Sequence, residues 1–167
     1  MRAVVAGLTL LLVSSAALAQ QPPAAAASPA AGRTMVSAAD VAALMAKAKV
    51  DRKEGQALLA QSMIRLDPYN VSLEYRAAVA NAAVHETEAE LFYVIDGAGT
   101  LVTGGKLIEE RRTNAENLSG TGIEGGVSKR VSKGDWILVP AGAPHQYPAV
   151  EAGGLTLMSL HLPKKIN

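Results

Sequence analysis

Two short segments hold most of the residues whose types and spacing could do chemistry. The first runs from Ala83-Val84-His85-Glu86-Thr87-Glu88-Ala89-Glu90 through Leu91-Phe92-Tyr93-Val94-Ile95 to Asp96-Gly97. The second runs Gly134-Asp135-Trp136-Ile137-Leu138-Val139-Pro140-Ala141-Gly142-Ala143-Pro144-His145. They place His85, Glu90 and His145 at the ends of apolar runs, in a chain with 3 histidines and no cysteine. Neutral imidazole and carboxylate together suit iron, manganese, zinc, nickel or copper, and two histidines with one carboxylate make the facial donor set of non-haem Fe(II) sites. Three protein ligands leave coordination positions open to water, substrate or dioxygen. A single histidine is more often a surface or packing residue, so residue type alone does not establish a ligand. Without cysteine there is no thiolate site and no thiol nucleophile. No Ser-His-Asp order or phosphate loop competes, and Gly97-Ala98-Gly99 does not open a helix as a dinucleotide fingerprint must.

The elements that must position these residues read as short strands. Val71 to Arg76 alternates apolar with polar, as a half-buried strand does. Leu91 to Ile95 is aromatic and β-branched, and Asp96-Gly97-Ala98-Gly99 is expected to turn the chain back into Thr100–Thr103. Gly104-Gly105 reads as a hairpin turn into Lys106-Leu107-Ile108. Asn114 to Gly126 reads as a long loop, Trp136 to Val139 as a buried strand, and Leu155 to Leu162 as the last strand after a Gly153-Gly154 turn. Ahead of the strands, Ser37-Ala38-Ala39-Asp40 has the form of a capping box, with Val41, Leu44, Met45 and Ala48 at helical spacing to about Lys49. Many short strands with glycine turns imply a sandwich or barrel. The expected class is all-β with one helix in front.

Residues 1–19 have the pattern of a signal peptide: Met1-Arg2, an apolar run too short to span a bilayer, and Ala17-Leu18-Ala19 as an A-x-A cleavage site. Residues 20–34, mostly Ala, Pro, Gln and Ser, read as a disordered linker. Residues 35–167 are enough for one domain. The expected location is periplasmic or secreted. The formal charge of +1 falls to about zero without Arg2, and no basic block invites nucleic acid or, after cleavage, a membrane surface.

Both segments resemble the two motifs of the cupin family. The first motif reads Gly, five residues, His-x-His, three or four residues, Glu, six residues, Gly; Glu90 and Gly97 match its second half and His85 stands where its second histidine belongs. The second reads Gly, five residues, Pro-x-Gly, two residues, His, three residues, Asn; Gly134, Pro140, Gly142 and His145 match at full spacing. The resemblance covers roughly Tyr75 to His161. Ala77, Ala83 and Ala149 stand where the family has Gly, His and Asn. Ala83 cannot ligate, so the usual three-histidine, one-glutamate set is reduced to His85, Glu90 and His145.

The resemblance implies a single cupin β-barrel of jelly-roll type with a short N-terminal helix, holding a divalent metal ion. It allows a homodimer and does not fix a reaction. The function it implies is a metal-dependent oxygenase or isomerase acting on a small organic substrate; the alternative is a non-catalytic small-molecule-binding module. Enzyme status stays open. Glu86 and Glu88 read as a solvated acidic turn, with a replacement ligand as the lesser reading. His161 reads as a partly exposed strand residue, or else an inward group that supports the ligands or acts as an acid or base. Phe92 and Val94 share the parity of Glu90 and should line the interior, leaving Tyr93 outside. Tyr147 has two readings, ligand contact or mouth packing. Arg76 and Lys106 read as solvated strand charges ahead of contacts to an anionic substrate. Asp135 and Trp136 are expected to shape the turn and the core.

Overall fold

The computed structural model describes residues 33–164, so the expected signal peptide and nearly all of the linker lie outside the described residues. The elements run α1 (Ala38–Asp51), β1 (Leu58–Leu66), β2 (Tyr69–Arg76), β3 (Ala82–His85), β4 (Glu88–Thr103), β5 (Lys106–Ile108), β6 (Arg111–Arg112), β7 (Asn117–Gly120), β8 (Gly122–Glu124), β9 (Val127–Ser132), β10 (Trp136–Val139) and β11 (His145–Pro163). Among the described residues no helix is long and apolar enough to cross a membrane.

β4 and β11 organise the rest. They pair antiparallel along nearly their whole length, from His145 opposite Thr103 to Pro163 opposite Glu88. One half of this ribbon continues the sheet β1-β2-β11-β4-β10; the other continues β6-β7-β3-β11-β4-β9. The core fills the space between the halves: Phe92, Val94, Val139, Leu155 and Leu157 from one meet Leu101, Val131 and Tyr147 from the other.

The sheet is not closed, so the expected barrel is corrected to an open, mostly-β fold with one helix. Among the described residues no pairing joins β1 to β10 or β6 to β9. A barrel needs continuous pairing around its circumference. Here the ends are a two-residue β6 and a four-residue β10, strands too short to bridge to an opposite edge.

The turns expected at Asp96–Gly99 and Gly153-Gly154 are bends inside β4 and β11. Gly97 (φ +81°) and Gly154 (φ +87°) adopt backbone angles that side-chain-bearing residues avoid, at the register shift between the two halves. A Cβ on Gly97 would collide with the Gly154 carbonyl oxygen, and one on Gly154 would lie 2.5 Å from the Tyr75 ring. Glycine here lets two backbones approach while both strands continue, which in sequence resembles a hairpin turn. Gly104-Gly105 is likewise no hairpin, since β5 pairs with β8. β10 is an edge strand with Trp136 and Leu138 exposed and Val139 buried, not the buried strand expected; Trp136 stacks on Tyr93 outside the core.

The helix forms as expected. The Ser37 hydroxyl accepts from Asp40 N while the Asp40 carboxylate accepts from Ser37 N, the reciprocal capping box. Ala48, Leu44 and Met45 then dock on Leu73, Met63, Tyr75 and Met158 on the outer face of the sheet. Strand alternation does the sorting: Leu73 and Tyr75 of β2 turn to the helix, so Glu74 and Arg76 turn inward.

Gly97→Ala is expected to cost roughly 2–5 kcal/mol, the sum of a left-handed backbone penalty and overpacking. Gly55→Ala, at φ +75° with nothing within 4 Å, should cost only the backbone part, roughly 1–2 kcal/mol. Urea midpoints compare them; equal losses would contradict the close approach.

Candidate metal centre

The centre lies where β3, β4 and β11 meet. On β4 the inward row is Glu90, Phe92 and Val94, all buried, as the parity predicts. β11 crosses this region twice. Its first residue, His145, sits opposite Ala83 of β3, and His161 near its far end sits opposite Glu90. His85 closes β3, and its carbonyl accepts from Gly142 N at 2.7 Å, which ties the glycine corner of the second segment to the first. All three histidines of the chain therefore reach one carboxylate.

The ring nitrogens divide their work. His85 Nε2 lies 3.4 Å and His145 Nε2 3.2 Å from Glu90 Oε2, and His161 Nε2 lies 3.4 Å from Glu90 Oε1. The Nδ1 atoms all face acceptors: Asn117 Oδ1 at 2.6 Å from His85, Glu88 Oε2 at 2.9 Å from His161, and the Ala143 carbonyl at 3.4 Å from His145. Asn117 Nδ2 donates to Asn114 Oδ1, so the amide oxygen is the end that faces His85. In the neutral rings those acceptors place the hydrogen on Nδ1 and leave each Nε2 as a bare lone pair.

Three lone pairs thus converge on a buried carboxylate. The Ser159 hydroxyl donates to Glu90 Oε1 at 2.5 Å, but buried Oε2 has no hydrogen-bond partner. Such an arrangement of acceptors is repulsive unless a cation lies among them. Burial alone pushes the Glu90 carboxyl up, but His145 and His85 when protonated, with Ser159, outweigh it and hold the group well below the usual carboxylate range. Burial likewise pushes His85 down, and Glu90 and Asn117 more than reverse this, so its pKa is raised. The same field that favours a proton on His85 favours a metal ion.

The donor set fits a divalent ion. The ligand atoms of His85, Glu90 and His161 lie within 4.8 Å of one another, and this triad can coordinate one. Ligands about 2.1 Å from a metal stand roughly 3.0–3.4 Å apart along the edge of an octahedron or tetrahedron, which matches the spacings to Glu90. His145 shares Glu90 with the triad, so the three residues singled out in the sequence come together and His161 joins them.

His161 does more than the strand-residue reading allowed. Its ring keeps 22% of its surface exposed, yet it points into the cluster and is oriented by Glu88. Glu86 is the solvated acid expected, paired with Arg112 at the surface. The Asn114–Gly126 stretch is not a loop: it contains β7 and β8, and β7 pairs with β3 to bring Asn117 opposite His85. Nothing in the spacing of Asn117 marks it as a partner for a ligand. Tyr147 packs edge-on against Phe92 in the core, with its hydroxyl unpartnered and burial raising its pKa. Asp135 shapes its turn by accepting from Ser132 N. Lys106 is exposed on β5, whereas Arg76 is buried.

A cavity of about 210 Å³ opens on the cluster, lined by His85, Glu90, His145 and His161 together with Ala83, Glu74 and Arg76.

No family model matches the sequence, and no curated protein does. Solved structures match by fold. The crystal structure of BH2720 from Bacillus halodurans has a TM-score of 0.50 at 18% identity, over 81% of this chain and 85% of that one. The crystal structure of FeII HppE has a TM-score of 0.50 at 12% identity, over 66% of this chain and 54% of that one. The chain has a cupin fold. An RmlC-like cupin from Shewanella frigidimarina is also similar, with a TM-score of 0.45 at 18% identity over 67% of this chain and 81% of that one. In this chain position 83, opposite His145, is an alanine, and a third imidazole arrives from the far end of β11.

Asn117→Ala removes the acceptor that orients His85. It is expected to weaken metal binding about 10–100-fold, the usual effect of losing such a partner. Competition with a chromophoric chelator measures it; unchanged affinity would mean that His85 does not bind through Nε2.

Proposed function

We propose that this chain is a metal-dependent cupin whose ion is held by His85, Glu90 and His145 with His161, and which acts by oxygenation or isomerisation on a small organic substrate. The observation that carries the reading is the convergence of three Nε2 atoms on Glu90 while every Nδ1 is engaged elsewhere. A divalent ion bound there supplies Lewis acidity and, if redox-active, a place for dioxygen. Iron, manganese, zinc, nickel and copper all accept these donors; FeII HppE, similar in fold, is an iron(II) protein by its description.

The chain's own residues set the conditions. Ser159, Asn117 and Glu88 fix the ligand rings and the carboxylate. Phe92 and Val94 form a dry wall behind Glu90, which strengthens every charge interaction at the site. Ala83 occupies a ligand position with a methyl group, and the room lies on the cavity side. At about 210 Å³ the cavity is smaller than the roughly 300–1,000 Å³ of drug-sized sites, which favours a substrate of few heavy atoms. The reading includes an exported protein with one domain over residues 35–167; it rests there on the pattern of residues 1–34 alone.

Elemental analysis of tag-free protein should find about one metal per chain, and His145→Ala and His161→Ala should each lower metal affinity at least about tenfold. A full metal complement in His145→Ala would overturn its role. Metal-free protein that still binds small molecules would favour the binding module.

A further inference from the structure

The cavity has a second pole, a buried arginine paired with a glutamate. Alternation along β2 sends Arg76 inward with Glu74, both only 8% exposed. Arg76 Nη2 donates to Glu74 Oε2 at 2.5 Å, and the guanidinium carbon lies over the Tyr147 ring, 4.4 Å from its centroid. Among the described residues this is the one hydrogen bond the side chain makes, although a guanidinium carries five N–H donors, and its buried Nε has no partner. The contact with Tyr147 holds the group in place while leaving most of its donors unused, on the lining of the same cavity that the histidine cluster lines. Buried charge pairs contribute little to stability compared with apolar packing, so this pair is not explained by folding energetics.

We infer that the cavity binds a small organic monoanion, a carboxylate, with its charged end on Arg76 and its other end toward the histidine cluster. The charges agree. Glu74 and Arg76 cancel, Glu90 neutralises half of a divalent ion, and one positive charge remains for the ligand to balance. A planar carboxylate matches the fork of an arginine in a way that a neutral amide or alcohol does not. The cavity size limits the ligand to a few heavy atoms. The inference deepens the metal-site reading and rests on it for the ligand's second anchor.

Glycolate and its neutral amide, glycolamide, separate the two anchors. Each is titrated calorimetrically into the whole chain, with metal content measured on the same samples. Glycolate should saturate and bind at least about tenfold tighter than glycolamide, since hydrogen bonds to a charged group are the strong ones. Arg76→Gln should abolish that preference while keeping its metal. Glu74→Gln, which frees the guanidinium from its internal carboxylate, should tighten glycolate, a direction that a purely structural pair does not predict. Should Arg76→Gln fail to fold, the double variant Glu74→Gln/Arg76→Gln removes both charges together and should also lose the preference. Glycolate affinity that is absent in the wild type, equal to that of glycolamide, or unchanged in the folded Arg76 variant overturns the inference, and normal metal content then leaves the metal reading standing. Arg76-dependent glycolate binding by protein without metal upholds the anion site and overturns the metal reading instead.

Discussion

The antiparallel register of β4 against β11 is the constraint on which the molecule depends. It creates both halves of the sheet and encloses the core between them. It also sets His161 opposite Glu90 and begins β11 at His145 beside the end of β3. A slip of one residue would turn Glu90, Ser159 and His161 out of the interior and bring Leu91 and Leu160 in. Fold and site are therefore specified by the same hydrogen-bond ladder. The bends at Gly97 and Gly154 allow one ribbon to serve both halves without a break.

Against that frame Glu90 is an expensive residue. It sits in a row whose other members, Phe92 and Val94, are fully buried, and an ionised carboxylate there must be compensated. One hydroxyl supplies partial compensation, and one carboxylate oxygen is left without a hydrogen bond. The second layer is equally specific, because Asn117, Glu88 and the Ala143 carbonyl turn the rings so that lone pairs, not N–H groups, face Glu90. A site organised this way is incomplete by electrostatics alone, and a cation completes it.

The capping box, the parity of Glu90, Phe92 and Val94, and the candidates His85, Glu90 and His145 that the structure brings together were legible because each depends on short-range spacing that strands and helix ends enforce. What could not be read depends on pairing between distant strands. The glycines at 97 and 154 have the sequence signature of turns, and only the approach of two backbones distinguishes a bend from a reversal. The open sheet follows from which edges fail to meet, a property that no single segment carries. His161 shared the right parity, but its place opposite Glu90 belongs to the register. Asn117 fell within a polar stretch whose composition resembles a loop, and β3 recruits it into a strand. Arg76 alternated as a surface charge would, because the face of β2 taken by the helix was the one that looked like the inside.

The transfer of an imidazole from β3 to β11 has a mechanical side. With a histidine at position 83, ligands from β3, β4 and the start of β11 would leave the end of the last strand held only by its ladder. With His161, an ion held as proposed would fasten the two ends of β11, through His145 and His161, to Glu90 on β4 and His85 on β3. Such a clip closes long chain loops, a role that disulfides fill elsewhere and that a chain without cysteine cannot assign to them. Loading the ion would then set how firmly the C-terminal strand is seated, so that metal supply governs resistance to unfolding and proteolysis as well as chemistry.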